Sequence, residues 1–431
     1  MAGPAGAAGP RVARLAGMRI TMLAGGVGAA RFLRGLKSAA PDAEITVIGN
    51  TGDDISLFGL HVSPDLDTVM YTLGGGIDEE QGWGRAGDTY TVLAELSAYG
   101  AGPAGAAGPR VARLAGMRIT VLAGGVGAAR FLRGLKSAAP DAEITVIGNT
   151  GDDISLFGLH VSPDLDTVMY TLGGGIDEEQ GWGRDGDTYT VLAELSAYGA
   201  GPDWFSLGDR DIATHLHRTS MLGAGLPLSA VSRVLCARWQ PGVRLLPMSD
   251  DRVETQVILR DEGGRTVHFQ EWWVRLQAAA PAAGFVFAGA EDASPAPGVL
   301  EAVSQADVVL FPPSNPVVSI GTILAVPGVA EAVRAKTVVG VSPIIGGAPV
   351  RGMADKCLAA VGAEASAAGV AAHYGTPLLD GWLVDERDKA AVDAPQLAGI
   401  AVRAVPLYMT DVPATAAIAR AALDLAQELT A

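Results

Sequence analysis

The stretch MRITVLAGGVGAARFLRGLKSAAPDAEITVIGN, residues 117–149, decides the fold. Its first seven residues are mostly β-branched or apolar and end at Gly124 and Gly125, as a strand buried on both faces does. GAARFLRGLKSAA (127–139) then carries apolar residues at helical spacing, and EITVIGN (143–149) is a second apolar run. Strand, helix, strand opens a doubly wound sheet. The expected class is α/β: a Rossmann-like three-layer sandwich with a mainly parallel sheet and a small helical insert. PDLDTVMYTLGG (163–174) and GDTYTVLAELSAYG (186–199) read as capped helices. GDRDIATHLHRTSMLGAG (208–225) and LSAVSRVLCARW (228–239) supply the insert, a helical cap at about 205–240. RLLPMSDD (244–251), VETQVILR (253–260) and VHFQEWWVR (267–275) read as short strands in a meander on the sheet's edge. ADVVLFPPSN (306–315) and TVVGVSPIIG (337–346) are buried strands running into turns. GWLVDERD and IAVRAVPLYM are the last strands, and ATAAIARAALDLAQEL is an amphipathic closing helix.

The opening unit is written twice. Residues 2–100 and 101–199 agree everywhere except Met22 against Val121 and Ala86 against Asp185. Repeats under separate packing demands drift apart, so a tandem duplication or a gene-assembly error is expected. The expected organisation is a duplicated segment with a flexible leader at 1–116 and one functional domain at 117–431. A lone strand-helix-strand copy has no sheet of its own, because two parallel strands are not independently stable. It is expected to compete with the second copy for one docking site or to stay partly folded. The second copy is favoured for the sheet.

The formal net charge of −16 disfavours non-specific nucleic-acid binding, which depends on Lys and Arg. Cys236 and Cys357 are the only cysteines, too few for a disulfide framework and without metal-site spacing. No apolar run reaches the ~20 residues of a membrane span. The leader lacks the apolar segment of a signal peptide. A cytoplasmic location follows as the expectation.

Gly124, Gly125 and Gly127 sit where a strand turns into a helix. There, bare backbone can approach a ligand and free N–H groups suit phosphate. The alternative is a tight turn with no ligand. Arg130 occupies the last position of the dinucleotide fingerprint, and Asn149 stands where a ribose-binding acid belongs, so a dehydrogenase is disfavoured. NTGDD (149–153) and SPDLDT (162–167) bring Asp152, Asp153, Asp164 and Asp166 beyond the second strand. Hard oxygen ligands of this kind suit Mg²⁺ bridging to substrate phosphates. Helix capping is the alternative, above all for Asp164. Arg210 in LGDRDIATH can grip a carboxylate, phosphate or polar ring, or simply pair at a solvated helix start. His215 and His217 point to different helix faces and are expected to be structural. One of Trp272 and Trp273 can stack on an aromatic ligand. Ser314 and Asn315, in a strand-to-helix turn, can bind a phosphate or cap the helix.

Together, GGVGAARFL, PDLDTVMYTLGG, GWGR, LGDRDIATHL, LLPMSDD, HFQEWWVR, PSNPVVSIG, SPIIGGAPVRGMADKC and VDERD, in this order, resemble the 2-phospho-L-lactate transferase family of coenzyme F-420 biosynthesis. The resemblance covers 117–431 and leaves the first copy outside the family pattern. It implies that a hydroxyl of the deazaflavin Fo attacks the acid-bearing phosphate of a guanylylated three-carbon acid, releasing GMP. It implies contacts to Fo from Asp166 and Arg210, with Asp166 either binding Mg²⁺ or orienting the hydroxyl and Asp152 or Asp153 as its metal partner, and a guanosine diphosphate site built from Gly124 to Gly127 with Ser314 and Asn315. Phosphoenolpyruvate is the favoured acid and phospholactate the other. The resemblance is compatible with a homodimer. A nucleotide-sugar-binding regulator of the same fold, without catalysis, is the competing reading.

Overall fold

The computed structural model describes residues 18–100, 116–260 and 263–430. The leader stretches 1–17 and 101–115 lie outside the described residues. The chain divides into two units, Met1–Tyr90 and Thr91–Ala431.

In the first unit, strands Arg19–Ala24 and Glu44–Gly49 pair in parallel, and helix Gly26–Ala39 packs with helix Pro64–Gly74. The first copy thus forms a two-stranded sheet of its own, where none was expected. Its two helices bury Ala24, Ala30, Leu33 and Val69 in a small cluster with the strands, and other apolar positions stay open. Leu23 is 76% exposed and Phe32 63%, although the sequence pattern marks both as core.

The second unit begins with helix α1 (Thr91–Gly100), continues into β1 (Arg118–Ala123), α2 (Gly125–Ala138) and β2 (Glu143–Gly148), and then α3 (Pro163–Gly173) and α4 (Thr190–Ala197). Helices α5 (Asp209–Gly223) and α6 (Leu228–Trp239) follow, then strands β3 (Arg244–Pro247), β4 (Val308–Phe311), β5 (Val338–Val341), β6 (Gly381–Val384) and β7 (Ala401–Ala404), and the closing helix α7 (Val412–Thr430). One seven-stranded sheet runs in the order β7-β6-β5-β4-β1-β2-β3, with every neighbour parallel. The second copy supplies its β1 and β2. Their residues are buried after the first position of each strand, and α7 covers α2 on one face. Leu122, Phe131 and Ile147 are all fully buried. Each such side chain contributes about 1.5–3 kcal/mol relative to exposure, a stabilisation the first copy's Leu23 and Phe32 largely lack.

The second compact unit begins at Thr91. Helix α1 belongs to the first copy in sequence, yet Leu96 buries with Leu207, Ile212, Ala213 and Leu216 of the second unit. The edge meander also takes another form. β3 joins the main sheet in parallel, while Glu254–Leu259, Thr266–His268 and Ala282–Ala288 make a separate antiparallel sheet. After His268 the chain turns into a π-helical segment, Glu271–Arg275. It buries Trp272, whose indole N–H donates to Ala280 O at 2.8 Å, and leaves Trp273 partly exposed.

The strand order reverses at β1, whose neighbours are β2 and β4. Two loops leaving adjacent strands in opposite directions open a crevice beyond the strands' C-terminal ends.

Candidate functional site

That crevice is a cavity of about 720 Å³. One wall is the glycine turn after β1. Gly125 has φ +76°, which L side chains rarely adopt. At Gly124 a Cβ would lie 2.5 Å from the Ser319 Cβ and 2.9 Å from Asp164 Oδ2, so no larger residue fits. The opposite wall is the turn after β4. Ser314 Oγ donates to Gly124 O at 2.8 Å and ties the two walls together. Asn315 Oδ1 accepts from the N–H groups of Val317 and Val318, capping the following helical turn while its residue lines the cavity.

Asp152 and Asp164 form the cavity's acidic edge. The buried Asn149 amide joins them, donating to Asp152 Oδ1 at 2.6 Å and Asp164 Oδ2 at 2.9 Å. Asp164 Oδ1 also accepts from Gly125 N at 2.7 Å. The carboxylates and the glycine turn are therefore one structure. Burial raises Asp164 to about 6. Burial, and then the Asp164 charge, push Asp152 well above the usual carboxylate range. Two desolvated acids side by side create a negative site that a cation relieves.

Asp153 and Asp166 face elsewhere. Asp153 Oδ2 meets His160 Nε2 at 2.9 Å and accepts from Ser162 Oγ at 2.7 Å. Asp166, two residues after Asp164, lies on another face of α3 and points inward. It is clasped by both terminal nitrogens of buried Arg218, with His215 Nδ1 3.6 Å away. Burial opposes the Arg218 charge, but Asp166 beside it holds its pKa above the usual value. Arg210 lies outside the cavity wall too: its Nη1 donates to Asp185 O at 2.8 Å, and Nε sits 3.8 Å from Glu95. Of the acids expected to gather around a metal, the structure thus brings Asp152 to the cavity and adds Asp164, the expected cap. Among the described residues, no three His, Cys, Asp or Glu side chains converge as a complete metal cage.

His215 is buried between Asp166 and Asp211, and His217 stacks on Tyr99, so both pack within the fold. Trp273 lines the cavity together with Trp182, Phe205 and Tyr408, flat surfaces suited to a planar ring. Sequence reasoning missed two cations on the wall, Arg130 and Arg351. Partial burial, then Arg130 nearby, lower the Arg351 pKa. Arg130 stands three residues past Gly127, one turn into α2, and that spacing was the available signal. Arg351 comes from a distant loop whose approach no local pattern announces.

The cavity can hold an anion between glycine backbone and arginines, a cation at its acidic edge and a flat ring on its aromatic side. A family model described as 2-phospho-L-lactate transferase CofD matches residues 20–111 and 119–404. The phosphoenolpyruvate transferase of Streptomyces griseus subsp. griseus is 70% identical over 318 residues, covering 73% of this chain and 100% of that one. The protein of the same name from Thermobifida fusca is 67% identical over 322 residues, covering 73% and 99%. A solved structure of a UPF0052-family protein from Bacillus halodurans is 18% identical with a TM-score of 0.48, covering 71% of this chain and 99% of that one. Among the described residues, no helix is long and apolar enough to cross a membrane.

Proposed function

The chain belongs to the 2-phospho-L-lactate transferase CofD family, and on that premise we propose that it transfers a phosphoenolpyruvyl group from a guanylylated donor to the deazaflavin Fo in coenzyme F-420 biosynthesis. The Fo hydroxyl forms a bond to the acid-bearing phosphorus, the diphosphate bond breaks, and GMP leaves. The observation that supports this reading is the single cavity shared by the glycine turn and two buried carboxylates. In-line displacement at a diphosphate needs charge neutralisation and alignment more than covalent help from the protein.

Asp152 and Asp164 fit Mg²⁺, which characteristically takes one or two carboxylates and fills its shell with water and substrate phosphate. Bound there, the ion would supply charge neutralisation at the diphosphate. Asn149 holds the two carboxylates in register. Gly124, Gly125 and Gly127 present bare backbone to the phosphates, with Arg130 and Arg351 nearby and Ser314 and Asn315 opposite. The phosphoenolpyruvyl donor, rather than phospholactyl, is favoured by the name of the relatives at 67–70% identity.

The test is GMP release by the full chain supplied with Fo, guanylylated phosphoenolpyruvate and Mg²⁺. Release is expected to need all three and to fall at least 100-fold in Asp164→Asn. GMP release without Fo, or undiminished activity in Asp164→Asn, would refute the proposal.

A further inference from the structure

Helix α1 is the last piece of the first copy, yet it is built into the second unit. Its contacts are specific. Glu95 faces three arginines: Arg238 Nη2 at 2.5 Å, Arg184 Nη1 at 3.3 Å and Arg210 Nε at 3.8 Å. The Tyr99 hydroxyl lies 2.7 Å from Thr214 Oγ1 and accepts from Trp239 Nε1 at 3.3 Å, while Arg238 stacks on its ring. Leu96 is buried against α5. The receiving groove is made by α5, α6 and the loop carrying Arg184.

Helix α4 has the same sequence, TVLAELSA, followed by the same Tyr-Gly. It buries no residue fully, and Tyr198, the counterpart of Tyr99, is 69% exposed. Its N-terminus is held beside the groove, because Asp209 accepts from the backbone N–H groups of Thr190 and Val191 at 3.3 and 3.0 Å. The Streptomyces griseus relative is matched along its whole length by 318 residues, enough for one such helix and not for two full copies.

We propose that the groove on α5 and α6 is a receptor for one TVLAELSAYG helix, and that α1 and α4 exchange in it. Identical side chains make identical contacts, so the groove cannot favour one copy through its own chemistry. Chain connection and the two backbone bonds that hold α4 to Asp209 separate them, and loop-closure cost grows only with the logarithm of loop length. A small free-energy gap of that kind leaves both seated forms populated. Whichever helix is seated, its Glu and Tyr neutralise and cover the same arginine cluster. The displaced helix keeps its apolar residues half in solvent.

The test uses the full chain with Leu96→Asp, Leu195→Asp and both together. Either single variant is expected to melt within about 1 °C of wild type, because the intact copy takes the seat, and the double variant to melt about 4 °C lower or more. If one single variant falls as far as the double, only that helix can occupy the groove and the proposal is overturned. Amide exchange gives a second reading that does not depend on melting. The substitution makes the two otherwise identical peptides distinguishable by mass. In Leu96→Asp the 190–199 peptide should be protected at least tenfold over its substituted twin, and in Leu195→Asp the 91–100 peptide should be. An intact 190–199 helix that gains no protection in Leu96→Asp overturns exchange.

Discussion

The repeat supplies its own control for the most direct test of the site. Gly28 and Gly127 occupy the same place in identical stretches, GGVGAARFL. A Cβ at Gly28 would meet nothing within 4 Å, whereas one at Gly127 would lie 2.3 Å from the backbone oxygen of Pro313, in the turn that forms the far wall of the cavity. Ordinary carbon contacts sit near 3.5–4.0 Å, so the wall must retreat by roughly 1 Å. A backbone carbonyl cannot rotate aside as a side-chain tip can. Overpacking of this kind costs about 3 kcal/mol at the upper end of its usual range. Replacing a helical Gly by Ala returns about 1 kcal/mol at both sites. Gly127→Ala should therefore lose about 2 kcal/mol net and melt about 4 °C lower or more, with a matching fall in GMP release as the two walls separate. Gly28→Ala should leave the main transition unchanged. Calorimetry and the GMP assay on both variants decide the matter. Equal behaviour of the pair would mean that the second copy is not the one in the sheet, and the site geometry would fall with it.

Two further outcomes follow from the carboxylates. Asp166→Asn strands the fully buried Arg218 charge and should cost about 3–5 kcal/mol of stability; Asp164→Asn removes a raised-pKa acid at the cavity edge and should damage catalysis while the fold survives. Chemical denaturation beside the GMP assay separates these, and a stable but inactive Asp166→Asn would contradict the structural role. In metal-free protein, burial lifts Asp164 to about 6 from 3.8. An acid whose folded pKa is raised stabilises the fold while protonated, and that contribution is lost as pH rises through about 6. Wild type minus Asp164→Asn should lose about 3 kcal/mol of relative stability between about pH 4 and pH 7, and millimolar Mg²⁺ should flatten the difference; a difference that grows with pH would refute the burial argument.

The two copies separate what local sequence settles from what packing settles. In both, the chain makes strand, glycine turn and helix at matching positions. Gly26 has φ +70° and Gly125 +76°. Gly26 N donates to Asp65 Oδ1, and Asn50 donates to Asp53 and Asp65, repeating the bonds of Gly125, Asn149, Asp152 and Asp164. Local hydrogen bonding and backbone sterics therefore fix the acidic edge, and this much was legible in residues 117–149 and the two Asp motifs. The sequence alone did not show what Asp166 of PDLD pairs with, because its partner Arg218 comes from more than fifty residues on. Nor did it show that Arg351 and Trp273 close the cavity, or that the first copy's last helix joins the second unit.

Sequence by itself determined the α/β class, the β-α-β opening and the local bonds around each glycine turn, since these depend on neighbours within about forty residues. Tertiary structure alone decided which copy enters the seven-stranded sheet and lines the cavity. Asp152 is buried beneath the turn after β4, while Asp53 is exposed. Desolvation and a second wall come only from strands that a single sheet can offer to a single copy.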